Sequence, residues 1–557
     1  MKRIKYLSIL FFLLTATTAT WAQSAVVSKV TNSVFTLTTF RADGSLLASS
    51  HGVFVGQNGE AISDLKPFLG AASAVVIDHE GTKMNVSRML GVNDIYDAAH
   101  FMVDGKTTPA PLATSSAAVG EKISLVGYAL KKPEITETTV KNVESFMEKY
   151  TYYIIGMNAP DNAVACPFVN ARGEVLGLLQ ISTTTFDTHA TDARFIKSLS
   201  LNALSFGDAT IKQIGIPMAM SSDKSQAQLS LVMAGQSGDS VKYEAAIHDF
   251  LTLYPNLIDG YDARARRQMA AGHFPEADET MHQALEKVDK KEDAHYHYSK
   301  LIFDKMVYSQ LPYENWTLEK AYDEAVAANN ANPQPVYRHL QAQIMFSQKK
   351  YQEAYDLFTD LYRNTDIKSP ELLFESARCK EMLNAPVKEV IALLDSAINT
   401  TDTLRILEAA PYFLERANVY HAADSFRQAV FDYNRYEYLM QGRVNANFYY
   451  IREQAEVKSR LFQQALTDIA RAIILAPREA MYYAEMASLQ LRVNMADKAV
   501  QTAERCVAIA PEYSDGYLLL GLAQIHTNEK EKGLGNLRKA LEMGNEQAQG
   551  LLDKYGK

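Results

Sequence analysis

Residues 477–511 read PREAMYYAEMASLQLRVNMADKAVQTAERCVAIAP. Apolar and small residues recur along this stretch at three- and four-residue steps, the spacing of one face of an α-helix. The stretch opens and closes on proline: Pro477 and Pro511 stand 34 residues apart, and each is read as preceding a new helix. Outward from it, Tyr449, Tyr483 and Tyr517 fall on the same 34-residue ladder, as do Ala465 and Ala499, while Ala472 and Ala540 share one small position two periods apart. A helical bundle with chance spacing is the alternative, and three copies in step argue against it. Earlier copies diverge. Tyr261, Ala277 and Ala284 fit one unit, Ala354 and Phe358 another, and Tyr412, Ala429 and Tyr433 a third, where the period slips to 36 residues between Ala429 and Ala465. About seven to nine helical pairs are expected between 227 and 557. An aromatic near the start of each first helix fills the gap to its neighbour, and small residues mark close helix crossings. Proline is tolerated at the start of the next helix, where its missing N–H costs little.

This period resembles the tetratricopeptide repeat. The resemblance implies a solenoid of stacked helical pairs whose concave face holds a peptide or a partner protein. Tyr436, Tyr438, Tyr449, Tyr450 and Arg452 are of types enriched at interfaces. Repeat core accounts for most of the tyrosines.

Residues 25–205 have a different period. Short β-branched and aromatic runs are separated by turn signals: Val34 to Phe40, Gly52 to Gly56, Glu60 to Ser63, Ala74 to Asp78, Ile123 to Tyr128, Tyr152 to Gly156 and Val175 to Ile181. Many short strands without intervening helices predict a sandwich or barrel. Residues 206–226 are a Gly/Ser-containing linker. The predicted fold class is therefore multidomain, an all-β domain followed by an all-α repeat array.

The chain has 557 residues, too many for one hydrophobic core. A formal net charge of -9 argues against a nucleic-acid partner, which calls for a basic face. Lys2, Arg3 and Lys5, the apolar run Tyr6 to Leu14 and the small-residue segment ending at Ala22 form a secretory signal peptide, residues 1–22, with cleavage expected after Ala22. The run is shorter than the roughly 20 residues of a membrane span, and no later stretch is read as spanning. The three cysteines, Cys166, Cys379 and Cys506, form neither a C-x-x-C pair nor a disulfide framework.

Within 25–205 three blocks carry a second resemblance. Gly52-Val53-Phe54-Val55 followed by Asn58-Gly59, Val119-Gly120-Glu121-Lys122-Ile123 through Gly127, and Gly173-Glu174-Val175-Leu176-Gly177-Leu178 resemble, in order, conserved blocks of the HtrA-type branch of the trypsin-like serine proteases. The resemblance implies two packed six-stranded β-barrels with the active site between them, and a Ser-His-Asp triad with backbone N–H groups facing the oxyanion. At the matching positions Lys66 stands for the His base, Asp97 retains the Asp, and Val164 stands for the Ser nucleophile. Asn162 replaces a glycine whose N–H helps form the oxyanion hole, and only Pro167 survives of the nucleophile motif. Valine has no nucleophile, and lysine is protonated at neutral pH unless strongly desolvated. No catalytic residue is therefore assigned; Lys66, Asp97 and Val164 mark a degenerate triad, and Lys66 is expected to pair with Asp97 as a salt bridge.

Cys166 is the sharpest substitute nucleophile, with His51, His79, His100 or His189 as a base only in unusual geometry. A buried structural cysteine is the stronger reading. No zinc-protease, P-loop, dinucleotide or metal-spaced motif appears, so no cofactor or metal is expected. The reading is an exported, non-catalytic binding or scaffold protein, with a protein or peptide on the repeat array and a further peptide position in the barrel cleft. The preferred compartment is the periplasm, because the resembling family works there; secretion or cell-surface association is the alternative. The competing functions are an active endopeptidase of unusual mechanism and a purely structural role in self-assembly.

Overall fold

The computed structural model describes residues 25–128, 134–181, 187–364 and 368–556. The signal peptide expected at 1–22 lies outside the described residues.

Twelve strands form two closed, antiparallel six-stranded barrels. The first comprises β1 (Val34–Phe40), β2 (Leu46–Phe54), β3 (Glu60–Ser63), β4 (Ser73–Ile77), β5 (Lys83–Asn93) and β6 (Ala98–Val103). The second comprises β7 (Lys122–Val126), β8 (Ile135–Phe146), β9 (Tyr150–Ile155), β10 (Pro167–Val169), β11 (Val175–Ile181) and β12 (Thr188–Asp192). Period-two alternation sends successive side chains to opposite faces. Phe35, Phe54 and Ala61 fill the first barrel with Phe68, Val76 and Phe101. Their neighbours Val34, Val53 and Ile62 point the other way, into a shared core with Val126, Val169, Val175 and Leu178 of the second barrel. Gly52 is required by this packing: a Cβ there would meet the Phe35 ring at 2.4 Å and the Ile62 carbonyl at 2.5 Å.

β1, β3 and β11 have the predicted bounds, and β2 extends six residues earlier than expected. The pattern missed β5, β6, β8, β10 and β12. β8 (ITETTVKNVESF) shows why, because a single one of its residues, Val140, is buried.

The connection after the barrels lies along the first one. Gly70 N donates to Gln213 O, Gly215 N to Ala71 O and Ala219 N to Met89 O, at 2.9, 2.7 and 2.8 Å. Ile214 and Ile216 enter the first barrel's core. A helix begins at Lys224, inside the segment read as a linker. Nineteen α-helices and one 3₁₀ helix, Thr403–Ala409, run from there to Tyr555 among the described residues. The chain divides into two compact units, one running to Leu301 and including Leu311–Tyr313, the other comprising Ile302–Gln310 and Glu314–Lys557. In the first unit, Arg88 of β5 forms a two-pronged bond with Asp249 of helix Ser240–Leu253 at 2.8 and 2.9 Å.

In the second unit the helices starting at Ala446, Ala480 and Ser514 are 34 residues apart, as are their partners starting at Phe462, Ala496 and Lys530. Ala465, Ala472, Ala499 and Ala540 are fully buried, as the small-position ladder requires. The two-residue slip lies in the connection 440–445, six residues where the later connections 476–479 and 510–513 have four. Pro477 and Pro511 sit in those later connections, two residues ahead of the N-caps Glu479 and Tyr513, not in the first helical turn. They act backwards: Ala476 and Ala510, each preceding proline, are forced out of helical geometry (φ -135 and -134°) and end the helix before.

Seven hairpins turn in one way. The residue after the first helix's cap takes a left-handed conformation (Gly272, Lys349, Asn384, Asp424, Arg460, Asn494, Asn528). The next N–H then reaches back five residues, as Met495 N does to Gln490 O and Leu461 N to Glu456 O, both at 2.8 Å. This Schellman closure satisfies carbonyls that the helix end leaves open. Lys349 and Arg460 occupy it without glycine's freedom. Lys349→Gly and Arg460→Gly are each expected to stabilise their hairpin, by up to about 1 kcal/mol, read as slower amide exchange in the two flanking helices.

Candidate functional site

Of the three residues expected at triad positions, Lys66 and Asp97 pair with each other, and Val164 turns its carbonyl toward β2 of the first barrel. β3 ends at Ser63, and Asp64, Leu65 and Lys66 lead into a single 3₁₀ turn, Lys66–Phe68. Asp97 lies just before β6, in a left-handed conformation (φ 44°). Its Oδ1 accepts from Leu65 N at 3.1 Å and from Lys66 N at 2.9 Å. Its Oδ2 lies 3.1 Å from Lys66 Nζ. The lysine side chain is 70% exposed, so it pairs from the solvent side with a carboxylate that braces the turn.

Val164 is in the turn Ala163–Cys166, closed by Cys166 N donating to Ala163 O at 3.0 Å. With Val164 at φ -55°, ψ 135° and Ala165 at φ 61°, this is a type II β-turn that places a non-glycine residue in the glycine position. Ala163, Ala165 and Cys166 each donate their N–H within the chain, to Pro160, Leu179 and Ala163 carbonyls at 3.0, 2.9 and 3.0 Å. The Ala163 and Cys166 amides are thus spent within the loop and the Ala165 amide on β11. What Val164 offers toward β2 is its carbonyl, 3.5 Å from Ser50 Oγ. His51 bonds the same backbone unit, while burial pushes its ring pKa down and its Nδ1 has no hydrogen-bond partner among the described residues.

Behind this layer sits a carboxylate that sequence reading passed over. Asp64 is 6% exposed; its Oδ1 accepts from Ser50 Oγ at 2.7 Å and Ser63 Oγ at 2.9 Å. Burial pushes it up to about 6, against the two hydroxyl bonds and with the Asp97 charge adding to the rise. Its sequence signal is the Ser63-Asp64 pair at the end of β3. Cys166 is buried within the second barrel's core, and burial pushes its thiol up to about 12. A thiol so placed is not a thiolate at neutral pH. His100 is also structural: Nδ1 lies 3.0 Å from Leu199 O and Nε2 3.0 Å from Glu60 Oε1. His79 lies beside Glu80 at 3.8 Å and His189 stacks on Tyr152; neither joins Val164.

The helical array holds the other candidate surface. A groove of about 520 Å³ is lined by Leu414, Asn418, Tyr436, Arg443, Phe448 and Ile451, among others. Of the residues singled out by type, Tyr436 lines this groove and Tyr438 is 72% exposed with Arg435 over its ring at 5.3 Å. Tyr450 is half-buried, its ring 5.5 Å from that of Tyr482. Tyr449 and Arg452 are core. Arg452 grips Asp468 through Nε at 2.6 Å and Nη2 at 3.0 Å, and Tyr449 donates to Glu437 at 2.8 Å.

Compared with known proteins, the sequence matches no family model and no curated protein.

Asp64 supplies a pH test. Its folded value lies above the ordinary 3.8, so its contribution to stability is fully present below about 4 and is lost as pH rises to about 6. Asp64→Asn keeps an acceptor for both serines and removes the ionisation. The variant is expected to match wild type at pH 4 and to exceed it above pH 6 by about 2–3 kcal/mol, measured by amide exchange in β2 and β3.

Proposed function

We propose that this chain is an exported, non-catalytic binding protein: a trypsin-like domain without catalytic residues joined to a tetratricopeptide-type array that holds a protein or peptide partner. The observation that carries the reading is the state of the triad positions. A solvated Lys66 pairs with Asp97 at 3.1 Å where an imidazole would stand. Val164 brings no nucleophile, and the neighbouring Ala163, Ala165 and Cys166 amides are donated to the Pro160, Leu179 and Ala163 carbonyls. Loss of one triad member alone costs orders of magnitude in rate, and loss of the nucleophile removes the mechanism. The double barrel and the 34-residue helical ladder support the two family likenesses. The groove beside Leu414, Tyr436 and Phe448 supports binding, because it combines apolar walls with a few polar groups such as Asn418 and Arg443. Among the described residues no helix is long and apolar enough to cross a membrane. Export, to the periplasm or the cell surface, rests on the basic and apolar N-terminal sequence.

Two measurements test this. Purified chain incubated with unfolded casein is expected to show no cleavage above a Cys166→Ala control, and no labelling of Cys166 by a peptide-like electrophile. Cleavage or labelling abolished by Cys166→Ala would establish the endopeptidase instead. A photo-cross-linking residue placed at Asn418 or Arg443 in cells is expected to trap one discrete partner. Leu414→Glu is expected to reduce that yield at least tenfold, and equal yields would overturn the groove as the binding surface.

A further inference from the structure

Helix Ala446–Lys458 carries ionisable side chains where the neighbouring hairpins carry small or neutral ones. Glu453 occupies the ladder position of Ala417, Ala487 and Gly521, and Glu456 that of Tyr420, Gln490 and Gln524. Both glutamates are core, 1% and 2% exposed. The guanidinium beside them is already committed. Arg452 gives Nε and Nη2 to Asp468 and Nη1 to Glu437 and Asn434, and it approaches Glu456 Oε1 only to 4.0 Å. Glu456 Oε2 and, on the next first helix, Gln490 Oε1 are buried with no hydrogen-bond partner among the described residues. Glu453 has Gln454 Nε2 at 2.6 Å.

The groups facing this pair from the packed elements are mostly acidic. Asp468 of helix Phe462–Leu475 and Glu437 of helix Phe426–Leu439 repel Glu456, and Glu485 of helix Ala480–Arg492 repels Glu453. Arg492 on that last helix offsets part of the charge at Glu453, and Arg471 is paired with Glu437 at 3.1 Å. A buried carboxylate with an unbonded oxygen and acidic neighbours is costly, and taking up a proton relieves the cost.

We propose that the hairpin Ala446–Leu475 is a pH-sensitive joint in the helical array: Glu453 and Glu456 are held neutral in the closed stack, and their ionisation loosens this hairpin from the one that follows. Burial pushes Glu453 up to about 7, with Glu485 adding to it, and Glu456 up to about 8, with Asp468 adding to it. When the hairpin opens, both return toward the ordinary 4.5. Between the open and closed values, the closed stack holds protons that the open form has released. Closure is therefore fully favoured below about 4.5 and weakens as pH rises, by up to about tenfold per pH unit for each carboxyl, levelling off above about 8. Asn447, Phe448 and Ile451 of the same helix line the 520 Å³ groove, so the joint acts on that groove's shape. The proposal stands whatever the groove binds.

The test is amide exchange of the full chain at pH 5.5, 7.0 and 8.5, corrected for the intrinsic rate, with β11 as the internal reference. Protection of helix Ala446–Lys458 is expected to fall at least tenfold relative to β11 from pH 5.5 to 8.5. Glu453→Gln combined with Glu456→Gln is expected to remove that fall, and Glu453→Ala, the residue that Ala417 and Ala487 supply, to reduce it. Equal protection of the wild-type helix at both ends of the range would overturn the proposal, as would an undiminished fall in the double variant. The wild-type series decides on its own, so a variant that fails to fold leaves the proposal falsifiable.

Discussion

Every element of this chain carries an apolar face that its own barrel or hairpin cannot cover. In the barrels, a strand such as β1 presents Phe35 to one side and Val34 to the other. Filling a closed barrel uses one set, and the other set is satisfied by a second barrel. In the array, a hairpin buries Ala465 and Ala472 at its own crossing but leaves aromatics such as Phe448 for its neighbour. The same constraint, apolar surface left over after local folding, therefore yields a paired barrel from a two-residue period and a stack from a 34-residue one.

The inter-barrel layer is held together by backbone bracing and one ion pair. Asp97 continues to brace the turn after β3 through two backbone N–H groups, a role that does not need a histidine. Lys66 completes the pair from the solvent side. The turn at Val164 keeps a left-handed residue in the position a glycine would suit, and its amides close on the loop itself and on β11.

Polar side chains enter the array's core in a repeated form. Arg416 grips Asp432 at 2.7 Å in one hairpin, and Arg452 grips Asp468 in the next, 36 residues on. Each fork ties the first helix of its hairpin to the second, and each must be complete, because removing one partner strands a buried charge. Arg452 meets that condition for Asp468 and Glu437. It reaches Glu456 Oε1 only at 4.0 Å, and Glu456 Oε2 is left without a hydrogen-bond partner among the described residues.

The sequence by itself determined the periods: β1, β3 and β11 to the residue, and the helical ladder. Period is local, set by backbone geometry and by which side chains alternate or recur, so it is written in consecutive residues. β8 escaped because a strand with one buried residue leaves almost no apolar pattern, and the left-handed turns at Lys349 and Arg460 escaped because lysine and arginine disguise a position that glycine would announce. Only the tertiary structure decided which polar groups are solvated and which are not. Charged residues at 453 and 456, and an aspartate after β3, read as surface until neighbours distant in sequence close over them. Burial, unlike period, belongs to the packed elements together rather than to any one segment of the chain.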